Sequence, residues 1–262
     1  MNSMRFNFPR FVCPSSFRLG VVPSLLICSC LFVFSDLAAC LHDEGNIEGA
    51  KNLMEYVLNV SEQLGGPMHP RTMTALGNLA SFLFLQKDFD GAEPLMRLCI
   101  KRYSKAIGPS HPRTIAAVNN LAMLQKSKGD LISATKTFGQ CLEGFVSALG
   151  ENHPNVARIR GNLGELYLKQ NKLEEADLEF TKSLLIFERT LGPNHPETAV
   201  ARKNQALVLA RKEMWEEAIS AMARVVRDLS AGLGGSHPVT QTACGIEAAY
   251  QKHELEPAND LL

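Results

Sequence analysis

The chain has 262 residues with 27 basic and 27 acidic side chains, so no overall field draws it to nucleic acid. Apolar residues at 45% and charged residues at 21% fit a packed chain rather than a disordered one. Seven cysteines, an odd number without a C-x-x-C pair, give neither a disulfide framework nor zinc-finger spacing, and a reducing compartment is the simpler setting.

Residues 1–35 hold no acidic side chain, only Arg5, Arg10 and Arg18, and an apolar run from Leu19 to Phe34. Three readings stay open. The run is the core of a secretory or anchoring leader, with small residues near Ala38-Ala39 and a lipoprotein-like Leu37-Ala38-Ala39-Cys40 box. Alternatively it is a degenerate first helix, because Leu37-Ala38 stands 42 residues before Leu79-Ala80. A spanning helix is disfavoured by Pro23 and Asp36. Membrane association is expected only if the segment is a signal or anchor.

From residue 36 the chain repeats. His69-Pro70, His111-Pro112, His153-Pro154, His195-Pro196 and His237-Pro238 are each 42 residues apart. Small residues keep the same step at Ala80, Ala122, Gly164, Ala206 and Ala248, and again at Ala50, Ala92, Ala134, Ala176 and Ala218. A fixed period of this size predicts an all-α solenoid of stacked antiparallel helix pairs, in which each unit buries its apolar face on its neighbours. In the unit from Leu149, Val156, Ile159, Leu163 and Leu166 share one helical face, and Leu173, Ala176, Phe180 and Leu184 share another.

The divisions are a partial or degenerate unit over 36–64, units starting near 65, 107, 149 and 191, and an incomplete unit over 233–262. The helix at 44–64 packs through Ile47, Ala50 and Met54, and the sequon Asn59-Val60-Ser61 falls inside it. Each first helix (A) should start at its proline and each second helix (B) should end at a glycine. Turns between A and B centre on Lys87-Asp88, Gly129-Asp130, Asn171-Lys172 and Glu213-Met214, followed by an apolar plug: Phe89, Leu131, Leu173 or Trp215. Trp215 reads as core. Gln205 replaces the leucine of Leu79, Leu121 and Leu163, and marks either a loosened joint or a polar contact. The last unit loses register after Gly245 and carries Pro257 near its second helix. No polar capping helix is visible, which suggests a fragment or a homo-oligomer formed through the open end.

These residues, in the pattern L-G-x-x-H-P-x-T…N-L-A…G-x-[FLW]-x-x-A, resemble the 42-residue tetratricopeptide (TPR) repeats of kinesin light chains and nephrocystin-type proteins. The resemblance covers 36–262 and implies a right-handed superhelix with helix A on its concave face. It also implies that the Asn before each Leu-Ala pair holds the backbone of an extended peptide. Here that column is Asn78, Asn120, Asn162 and Asn204. An amide both donates and accepts, so it can pair with backbone N–H and C=O without demanding one sequence. The competing role is a structural amide between repeats. By the same register Arg158, Lys126, Lys169, Lys203 and Arg211 should line or rim the groove, with Glu165 beside them. Converging cations would favour an acidic segment, which agrees with the acidic peptides that kinesin light chains accept. The heptad region with which those proteins bind the motor has no counterpart before Leu37.

Chemistry is not expected. Helices packed 8–10 Å apart keep successive His-Pro corners from sharing one metal ion, and H-E-x-x-H, the phosphate-binding G-x-x-x-x-G-K-[ST] loop and G-x-S-x-G are all missing. The sequence therefore predicts a non-catalytic, cofactor-free and cytoplasmic scaffold that binds a protein or peptide partner. The rivals are an assembly protein that oligomerises through its ends or convex face, and a secretory or membrane-tethered repeat protein.

Overall fold

The computed structural model describes residues 37–38, 40–42 and 44–254; the segment 1–36 and Pro257 lie outside the described residues. The described chain is helical, without a strand. After helical backbone at 37–38 and 40–42, ten helices follow among the described residues: α1 (Ile47–Gly65), α2 (Pro70–Leu85), α3 (Phe89–Ile107), α4 (Pro112–Ser127), α5 (Leu131–Leu149), α6 (Pro154–Lys169), α7 (Leu173–Thr190), α8 (Pro196–Arg211), α9 (Trp215–Leu233) and α10 (Pro238–Gln251). Each packs on the next, and the starts of A and of B helices both recur every 42 residues.

The corner histidines explain why helix A starts where it does. His69, His111, His153, His195 and His237 are extended N-cap residues, and Nδ1 of each accepts the backbone N–H two residues on, at 3.1–3.3 Å. The proline between them has no N–H to satisfy. Thr72, Thr114 and Thr198 then tie the helix to the corner by donating Oγ1 to the carbonyls of Gly66, Gly108 and Gly192, at 2.7–2.9 Å.

Helix A ends in a left-handed residue at the same step, Lys87, Gly129, Asn171 and Glu213, all with φ between 59° and 82°. The next N–H returns to the carbonyl five residues back, as in Asp88 to Leu83 and Met214 to Leu209, both at 2.9 Å. Helix B is then capped by Asn46, Asp88 or Asp130, whose side chains accept from Gly49, Gly91 and Ser133. Lys172 and Met214 fill this position in the later units without a side-chain bond. Met214→Asp should therefore raise stability by about 1 kcal/mol, read as a higher urea midpoint with an unchanged slope.

The core runs along the stack. Ala50, Ala92, Ala134, Ala176 and Ala218 are fully buried, as the small-residue column requires. A column on helix B crosses to helix A: Cys99, Cys141 and Ser183 donate to the carbonyls of Met73, Ile115 and Ala157 at 3.9, 3.8 and 2.7 Å. Burial pushes the Cys99 thiol up to about 11 and the Cys141 thiol to about 12, which keeps both inert. Consecutive units are also tied from the end of helix A to the preceding helix B, always 35 residues back: Lys128 to Glu93 (3.2 Å), Gln170 to Thr135 (3.0 Å) and Lys212 to Asp177 (2.7 Å). Gln205 makes a polar contact, donating to Thr181 Oγ1 at 3.2 Å, which decides between its two readings.

Trp215 is half-buried, edge-on to Tyr250 and stacked on His253, with centroids 6.2 and 5.0 Å apart. The last helix, α10, is two residues shorter than the other A helices, 14 against 16, and its left-handed residue is His253. In the sequon within α1, Asn59 is exposed and Ser61 is buried.

Candidate functional site

Helices A touch one another directly across a unit, α2 with α4 and α6 with α8. In a curved stack the layer with the shorter spacing is the inner one, and the amide column lies on it. Asn78 and Asn120 are exposed, Asn162 is half-buried and Asn204 is buried. None of the four is hydrogen-bonded to another described residue.

Two hollows open on this face. One, about 290 Å³, is lined by His42, Met54, Val57, Asn78, Phe82 and Leu85 from the first units. The other, about 270 Å³, lies between α6 and α8, with α7 behind it. It brings together three residues of the predicted set, Arg158, Asn162 and Asn204, with the acid Glu165 beside them, over a floor of Ala157, Gly161 and Ala201. Small residues every helical turn leave the space that the larger neighbours of a packed pair would fill.

Three of the five cations are engaged within the protein. Arg158 donates to both oxygens of Glu197, at 3.1 Å through Nε and 2.5 Å through Nη2, and to Asn155 at 3.2 Å. The hydrogen bonds it donates to Glu197 hold its guanidinium above the usual arginine range. Lys126 is paired with Glu165 across α4 and α6 in a mostly buried bridge. Both pairs join residues 39 apart, one repeat less one helical turn, a signal present in the sequence but visible only once the two helices are known to be neighbours. Lys169 is exposed at the end of α6, and Arg211 is half-buried at the end of α8, with Nε unpartnered. Lys203 departs from expectation: it is buried and engaged within the protein, because α8 is enclosed by α6, α7 and α9.

The same enclosure buries Arg202, which sequence reasoning passed over. It donates to Asp228 at 2.5 Å and Glu188 at 2.7 Å while only 4% exposed. One unit earlier Arg160 pairs with Glu179 at 2.8 Å. The described residues hold no group of three or more His, Cys, Asp or Glu able to bind a metal ion, and no helix among them is long and apolar enough to cross a membrane.

Residues 71–145 and 114–184 match the family model of the tetratricopeptide repeat. The array has the fold of a TPR solenoid. It superposes on the nearly identical TPR-like repeats described as those of a Podosopora anserina kinesin light chain, with TM-score 0.67 at 20% identity over 78% of this chain and 96% of that one. BtubC (BKLC) from P. vanneervenii gives TM-score 0.68 at 23% identity over 78% and 81%. A Rap protein complexed with Competence and Sporulation Factor gives 0.60 at 13% over 84% and 64%. At these identities the likeness is one of fold. No curated protein matches the sequence.

Proposed function

We propose that this TPR array is a non-catalytic scaffold that captures an extended segment of a partner protein along the inner face of its A helices. The observation carrying this reading is the amide column. Asn78, Asn120, Asn162 and Asn204 lie on one face with no side-chain hydrogen bond to another described residue, and three of them line two hollows on it. A free amide at each step can pair with the N–H and C=O of a strand laid across the helices. The structural-amide alternative needs bonds between repeats, which these side chains do not make. Arg158, Lys169 and Arg211 would meet carboxylates on the segment. Unpaired thiols at Cys40 and Cys244 suit a cytoplasmic setting.

The test is partner capture by the full chain and by Asn120→Ala/Asn162→Ala. We expect at least tenfold weaker capture with helicity unchanged by circular dichroism. Unchanged capture would sink the groove. If the mass also rose with concentration, assembly through an outer face would be favoured, for example the one carrying Ile132, 83% exposed.

A further inference from the structure

The two hollows share the amide column but differ in chemistry. The first is walled by Met54, Val57, Phe82 and Leu85, with His42, Asn78 and Ser81 as its polar members. Its rim residue Leu85 is a large apolar side chain that is 67% exposed. The second has the Arg158–Glu197 pair at its rim beside Asn162.

Resting on the groove reading, we propose that the partner segment carries two stations. One is a large apolar side chain that enters the hollow beside Leu85. The other is an adjacent carboxylate and ammonium, six to eight residues along, that meet Arg158 and Glu197. Spacing follows from geometry. A helices follow one another at roughly 8–10 Å. The first hollow lies beside α2 and the second midway between α6 and α8, so about two and a half steps separate them. That is roughly 20–25 Å, which an extended chain at about 3.3 Å per residue covers in six to eight residues.

The demand for both signs follows from the pairing. A lone carboxylate approaching Arg158 must compete with Glu197, which already holds two of its donors, and would leave that anion beside another. A partner bringing a carboxylate and an ammonium converts one ion pair into two and strands no charge. Exchange is open here because Arg158 is 56% exposed. The Lys126–Glu165 pair, at 14% and 17%, is enclosed by its helices and stays intact.

The experiment is selection of a random peptide library on the immobilised full chain, with circular dichroism as the check on folding. Enriched peptides should carry Leu, Met or Phe six to eight positions from a neighbouring acid and base. Shortening that spacing by three residues should weaken binding at least tenfold. Leu85→Glu should erase selection at the apolar station alone, and Glu197→Gln should turn the charged station purely acidic. Enriched peptides that lack the spacing, or that ignore both substitutions, overturn the two-station ligand. If Asn120→Ala/Asn162→Ala still abolishes their binding, the groove survives that result. Enrichment indifferent to the asparagines, or no enrichment at all, removes both.

Discussion

Arg202→Ala is expected to destabilise the protein by about 2–3 kcal/mol, because it leaves a mostly buried Asp228 and a partly buried Glu188 without their cation. Arg202 is 4% exposed and holds Glu188 of α7 and Asp228 of α9, so it fastens two B helices to the A helix between them. In a solenoid, stability is nearly a sum of unit and neighbour terms. The loss should therefore fall on the last two units, visible as a separate early transition in urea and as faster amide exchange in α8 and α9. The repeat supplies its own control. The residue at this position is Leu76 in the first full unit and Val118 in the second, while Val146 and Ile186 stand one unit before Glu188 and Asp228. Replacing the triad together, Arg202→Leu with Glu188→Val and Asp228→Ile, should restore most of the stability, since packed apolar groups often equal or exceed a buried ionic cluster. If Arg202→Ala unfolds like the wild type, the triad is not holding the joint.

Gly164→Ala is expected to cost about 1–3 kcal/mol by overpacking, although alanine is the better helix former by about 1 kcal/mol. A Cβ on Gly164 would lie 2.6–2.9 Å from three ring carbons of Phe180, whose side chain is fully buried. The ring cannot yield without moving its neighbours. Three residues earlier, a Cβ on Gly161 would meet only Ser183 Oγ, at 3.7 Å. Gly161→Ala should then stabilise by about 0.5–1 kcal/mol. Two glycines in one helix thus shift the thermal midpoint in opposite directions. A stabilising Gly164→Ala would mean that the ring has room to turn.

The two experiments also mark where the sequence stops being readable. Register, helix pairs, the proline starts and the glycine ends were legible because they follow from a period and from backbone rules that act within a few residues. The buried alanine columns were legible for the same reason. The column at 80, 122, 164, 206 and 248 reads as small, but whether Gly164 tolerates a methyl depends on where Phe180 settles, sixteen residues away.

The charged residues of the inner face divide in the same way. Sequence placed Arg158, Lys126 and Lys203 near the groove by register alone. Tertiary structure gave Glu197 to the first and Glu165 to the second, and it closed α8 over the third. Apolar position along a helix follows from periodicity, since one face must leave water. The fate of a charge depends on which opposite charge another helix brings within hydrogen-bonding distance, and that is a property of the packed stack. By itself the sequence determined that this chain is a solenoid with a column of amides. Only the stack decided that those amides have no partner, that two hollows open beside them, and that one hollow is apolar while the other is edged by a matched pair of charges.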